Sequence, residues 1–171
     1  MLSHLSRLGA GAWRLASGRE TTGFLALAAI VGVGVGTGAA GLVLVIFWIG
    51  EGFTTLERLA GSRAWWVIPA LPLGLLASWW VARRFAPEVE GDGVPDAISA
   101  LAVHGGMIRG RVVPAKMVAT ALTLGGGGSG GREGPIVQIG AAVGSVVSRF
   151  FRLGEDQIRS LVAAGAGAGI G

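Results

Sequence analysis

GSGGREGPIVQIGAAVGS, residues 128 to 145, is the stretch on which the reading of the whole chain turns. It opens with the flexible series Gly128-Ser129-Gly130-Gly131, places Arg132 beside Glu133, and passes through Gly134-Pro135 into an uncharged run. Proline in a first helical turn gives up no hydrogen bond, so a short helix is expected over Pro135–Val147. The start of a helix presents unpaired N–H groups and about half a positive charge, which attract an anion without a full cationic side chain. Partial charges also suit conduction, because they hold an anion weakly enough to release it. A phosphate-binding loop would need Lys-Ser/Thr where Arg132-Glu133 stands, and a carboxylate at that point repels phosphate. Nucleotide binding is therefore rejected, and no cofactor is expected.

Glu133 is the informative residue. An ionisable group in an apolar, glycine-rich region is costly and marks a functional site by default. Its carboxylate can occupy the N–H cluster that an external anion would use, blocking it when ionised and swinging away when protonated. Such a group would serve as both gate and proton acceptor. Two structural alternatives fit the spacing equally well: a carboxylate capping its own helix, or a partner for Arg132.

A second loop of the same kind lies upstream at Gly91-Asp92-Gly93-Val94-Pro95-Asp96. Around the two loops the apolar segments are short: Val94–Val103, Val112–Leu124 and the run from Pro135. Broken helices of this type build ion sites at mid-membrane depth. Asp96 reads as a first-turn carboxylate favoured by the helix dipole. His104, Arg109 and Arg111 read as a solvated basic loop in preference to an anion funnel or proton relay.

Farther upstream the pattern is longer. Gly23–Gly50 carries no charge; as a helix it would reach roughly 42 Å, more than a hydrocarbon core of about 30 Å, so tilt is expected. Gly32, Gly34, Gly36 and Gly38 form overlapping GxxxG pairs, read as packing within the protein rather than as a dimer motif. Glu51–Arg63 reads as a mixed-charge loop, and Ala64–Ala82 as a second span ending at Arg83-Arg84. Trp65-Trp66 and Trp79-Trp80 would form its aromatic belts. Residues 2 to 16 show an amphipathic pattern suited to a membrane surface. Arg7, Arg14, Arg19, Arg83 and Arg84 flank the pair of spans, which puts the N-terminus in the cytoplasm by the positive-inside rule.

Composition agrees with a membrane protein. Of the 171 residues 51% are hydrophobic and 14% charged, 32 are glycine, and mean hydropathy is +0.65. Without cysteine, disulfides and thiolate metal sites are impossible, and two distant histidines make a metal site improbable. The net charge of +4 comes almost wholly from arginine, with Lys116 the single lysine. Arginines spread between apolar runs mark membrane edges rather than a nucleic-acid surface, so no nucleic-acid partner is expected.

The segment GSGGREGPIVQIGAAVGS, with its GREGP motif, resembles the most distinctive stretch of the CLC family of chloride channels and proton/chloride antiporters. Gly91–Pro95 falls where that family carries GSGIP, and Lys116 in the intervening helix also fits. The resemblance implies an all-α polytopic membrane fold of long tilted and short broken helices, built in the family from two inverted repeats. This chain would hold most of the first. The amphipathic pattern and flanking arginines give a cytoplasmic segment over residues 1–20, and the resemblance implies an incomplete transmembrane domain over 21–171. It makes Glu133 the gating glutamate, with anion-binding backbone at Gly91, Asp92, Gly93, Val94, Pro95, Gly134, Ile136 and Val137. Gly128, Ser129, Gly130, Gly131, Arg132 and Pro135 support the motif. The implied function is non-enzymatic transport of chloride or a similar anion, with protons as possible co-substrate, across a lipid bilayer such as the bacterial inner membrane. A homodimer is implied for the full-length protein.

Asp92 departs from the family serine that donates a hydroxyl to the central anion. Three readings stay open: an N-cap turned away from the ion, a protonated or second tethered blocker, or a different preferred anion or coupling. The family's second-half motifs, GKxxGPxxH and GxFxP, and its distal tyrosine are absent, so the chain reads as a fragment lacking the C-terminal half. The alternatives to transport are accordingly a non-transporting fragment or a broken-helix carrier of another anion, and the isolated 171 residues are expected to move nothing.

Overall fold

The computed structural model describes residues 18–61, 65 and 67–170, all helix, turn or loop with no strand among them. The expected amphipathic segment 2–16 lies outside the described residues. Six helices follow in order: α1 Gly18–Ala60, α2 Val67–Phe85, α3 Val94–Val103, α4 Val112–Gly125, α5 Glu133–Phe150 and α6 Glu155–Ala168, with a 3-10 turn at Pro87–Val89.

α1 corrects the expected loop over 51–60, while residues 62 and 63 of it lie outside the described residues. The helix runs unbroken through Ala60, 43 residues or about 65 Å. Glu51, Leu56 and Leu59 are good helix formers, and Thr54 and Thr55 turn their hydroxyls back onto the Glu51 carbonyl at 3.0 and 2.7 Å. Those bonds satisfy both hydroxyls within the helix itself. Among the described residues only Thr22–Leu56, within α1, is both long and apolar enough to cross a membrane. The expected second span forms α2, but its last turn takes in Arg83 and Arg84 and its interior contains Pro72. Arg83 lies over the Trp79 ring at 4.9 Å.

The short segments form as helices where expected, and α5 is longer than expected at both ends, 18 residues from Glu133 to Phe150. Its N-terminal extension follows from Arg132, whose helical backbone (φ −85°, ψ −15°) starts the winding before Pro135. α3 starts sharply because Gly93, at φ +104°, turns the chain through a region side chains avoid and Pro95 fixes the next turn.

α5 is the centre of the fold. α1 crosses it, with Gly34 facing Val143 and Gly38 facing Ile139, while Gly32 and Gly36 look into open space. One of the two GxxxG stripes therefore serves packing within the chain. Against α6 the approach is closer still: Gly140 lies on the Gly165 backbone and Gly144 on the Leu161 backbone, leaving no room for a Cβ. Val31, Val35 and Leu161 close one core cluster, Leu42, Ile136 and Ile139 another. α2 is tied to α4 by the Ser78 hydroxyl, which donates to the Ala119 carbonyl at 2.8 Å and accepts from Thr123 at 2.9 Å.

Candidate functional site

The two glycine-proline loops, about 40 residues apart in sequence, meet in space. The Asp92 carboxylate and backbone carbonyl lie against the Cα of Gly134, at the head of α5. One residue on, Gly93 is pressed between Gln138 and the Gly134 carbonyl; a Cβ there would come within 2.9 Å of both. The starts of α3 and α5 thus back onto each other, and glycine is required at 93 and 134 because the backbones touch.

Lys116 holds this junction from the side of α4. Its ammonium is buried and donates to the carbonyls of Val89 at 3.0 Å and Gly91 at 2.7 Å, strapping the chain that leads into α3. The Asp96 and Asp92 carboxylates both act electrostatically on it. Gln138 forms a second strap, donating from Nε2 to the Glu88 carbonyl at 2.7 Å. Both straps escaped the sequence reading. Lys116 carried a signal, as the single lysine within an apolar helix; Gln138 had only its place in the uncharged run after Pro135.

Two clefts flank the junction. One, of about 470 Å³, is lined by Ser78, Gly91, Asp92, Lys116, Thr120 and Pro135 among others. The other, of about 410 Å³, holds Glu133 together with Val43, Ile46, Gly128 and Arg132. Gly130, Gly131 and Leu124 line both. The structure therefore puts Asp92 and Glu133 in neighbouring clefts with a shared wall. Ser129 is exposed beside them.

Glu133 is the first residue of α5 and is exposed, and among the described residues no hydrogen bond or ion pair engages its carboxylate. Both structural alternatives for it are absent: α5 has no side-chain cap, and no Arg132–Glu133 ion pair forms. Asp92 is not an N-cap either, since that position belongs to Gly93. Asp96 lies in the first turn of α3, as expected. Arg109 and Arg111 are not simply solvated, because both reach Glu88, at 3.0 and 3.6 Å.

The expected set of backbone donors is smaller than the motif implied. The N–H of Ile136 is spent on the Arg132 carbonyl at 3.2 Å, and Val137 sits one full turn inside α5 in a core cluster with Ala97, Ala141 and Val162. The helical backbone of Arg132 is the cause: it begins the hydrogen-bond ladder one residue early. Pro95 and Pro135 have no N–H to give. The donors left at the head of α5 are the N–H groups of Glu133 and Gly134, and at α3 those of Gly93, Val94 and Asp96. Among the described residues no group of three or more His, Cys, Asp or Glu could hold a metal.

Comparison with known proteins bears on this arrangement. The family described as voltage gated chloride channel matches residues 73–171, which include both loops, Lys116 and Gln138. The H(+)/Cl(-) exchange transporter ClcA of Vibrio campbellii is 36% identical over 156 residues, covering 85% of this chain and 32% of the relative. The protein of the same name from Vibrio vulnificus is 36% identical over 166 residues, covering 91% of this chain and 34% of the relative. The chain spans about a third of the length of the curated relatives it matches.

Proposed function

The chain belongs to the voltage-gated chloride channel family, and from that premise we propose that it supplies the gate-bearing part of a pathway for chloride or a similar anion, coupled to protons. The observation that carries this reading is the unpaired Glu133 carboxylate at the head of α5, one residue from the point where the two helix starts meet. There it competes with an anion for the N–H groups of Glu133 and Gly134 when ionised, and gives up that position on protonation. The name of the Vibrio relatives, which pairs protons with chloride, supports the coupling.

The protein acts as a transporter, not an enzyme, in a lipid bilayer. The exposed apolar side chains along α1, among them Leu25, Val33, Leu44, Phe47 and Trp48, support lipid as their surroundings. Residues 21–171 form the membrane part and 1–20 a cytoplasmic segment, in the bacterial inner membrane, and the complete protein works as a homodimer. Asp92, whose carboxylate abuts Gly134, acts as a second tethered anion. The test is anion efflux from liposomes carrying the full-length protein. Chloride release well above that of empty liposomes is expected, and its absence overturns the reading.

A further inference from the structure

A groove of about 490 Å³ runs between the end of α2 and the start of α4. Val81 and Phe85 line it from α2, Pro114 and Val118 from α4. Arg84, in the last turn of α2, and Arg111, at the N-cap of α4, line it at the helix ends. Phe85 is 54% exposed and Val118 45%, so the apolar walls are open to the surroundings. Trp80, also exposed, packs edge-on against Phe85 with ring centroids 6.1 Å apart, and Arg83 and Arg84 follow within one turn. Tryptophan followed by arginine at the end of an apolar helix is the pattern of a membrane–water boundary. The two arginines of the groove therefore stand at headgroup level. Val118 lies two turns into α4 from Arg111, about 10 Å towards the hydrocarbon.

Charge at this end is out of balance. Arg83 is met by Glu90 at 3.2 Å, and Glu88 is shared by Arg109 at 3.0 Å and Arg111 at 3.6 Å. Arg84 is in no ion pair among the described residues, and its guanidinium lies 6.0 Å from the Phe85 ring. Four arginines face two glutamates, and the surplus falls on the two that line the groove. Exposed guanidiniums hold a free anion weakly in water, and chloride has nothing to offer the apolar walls. The occupant that matches both features has an anionic head and an apolar tail.

We propose that this groove seats one anionic phospholipid, its phosphate between Arg84 and Arg111 and an acyl chain along Val81, Phe85, Pro114 and Val118. Basic pockets between membrane helices bind such headgroups, and the planar donors of guanidinium grip phosphate in pairs. Arg84 has no carboxylate to give up. Arg111 gives up only the longer contact on Glu88, which Arg109 still neutralises. The groove shares no lining residue with the clefts that hold Asp92 and Glu133, so it is a separate site.

This inference rests on the bilayer placement of α2 and α4 within the transport reading, so lipid binding and chloride efflux are measured on one preparation of full-length protein. Phosphatidylglycerol and phosphatidylcholine with the same acyl chains are titrated in detergent, and bound lipid is counted by native mass spectrometry. Wild type is expected to hold phosphatidylglycerol more tightly. An arginine near a membrane surface contributes about fivefold towards anionic lipid. Arg84→Gln and Arg111→Gln should therefore each weaken phosphatidylglycerol binding about fivefold, and together about 25-fold, with phosphatidylcholine binding unchanged. Val118→Trp fills the groove without altering charge and should weaken binding too. Arg58→Gln, in the last turn of α1 and outside the groove, is the control and should not. Inorganic phosphate, a head without a tail, should not displace the lipid. Equal retention of the two lipids, as when other protein covers the groove, overturns the site. So does selectivity that survives the double variant, or displacement by inorganic phosphate. Efflux with equal retention removes the lipid site alone, whereas selectivity without efflux removes the transport reading and leaves the lipid site standing.

Discussion

Gly134→Ala puts the meeting of the two loops to a direct test. The new methyl would fall on the Asp92 carboxylate and on the Asp92 backbone carbonyl. A carboxylate can rotate aside, but the carbonyl cannot, because Lys116 fixes the preceding carbonyl of Gly91 at 2.7 Å. The loops must therefore separate. Overpacking of this kind costs about 1–3 kcal/mol, and the backbone contact puts the cost in the upper half of that range. Replacing glycine in a helix returns about 0.5–1 kcal/mol, leaving a net loss of about 1–2.5 kcal/mol. For a chain of this size that is a fall of about 2–10 °C in melting temperature. Gly131→Ala is the control, since nothing lies within 4 Å of its added Cβ. Thermal unfolding of the two variants in the same detergent gives the answer. If Gly134→Ala melts with Gly131→Ala, the loops do not touch as described.

Two further variants probe what surrounds the junction. Lys116→Met removes the donor from the carbonyls of Val89 and Gly91, at about 1–3 kcal/mol for each acceptor left unsatisfied. Relief of the buried charge offsets part of this, so denaturant unfolding should show a net loss of about 2–4 kcal/mol, and an unchanged midpoint would refute the strap. Gly140→Ala drives a methyl into the Gly165 backbone and should lower stability by about 2–3 kcal/mol, measured the same way. Gly36→Ala, facing open space on α1, should lose nothing.

The sequence made the loops and the short helices legible because proline and glycine act locally. Gly93 must take a positive φ, Pro95 and Pro135 must sit in first turns, and the boundaries of α3 follow from that. The continuation of α1 through 51–60 was not legible, since its mixed charges, Gly52 and two threonines look like a loop and mask the helix formers Glu51, Leu56 and Leu59. At the site, the motif pointed to Glu133 and to both loops. It overstated the donors, because the engagement of Ile136 depends on the backbone angles of Arg132, which no residue type dictates. The straps from Lys116 and Gln138 span 25 to 50 residues and exist only once α3, α4 and α5 are packed.

The central claim is that the Glu133 carboxylate gates the anion by taking up and releasing a proton. Anion flux against pH, for the full-length protein and for Glu133→Gln in liposomes, tests it most directly. Glutamine keeps the size of the side chain but cannot change charge. The account predicts wild-type flux that varies with pH and Glu133→Gln flux that does not; a variant whose pH dependence matched wild type would contradict it.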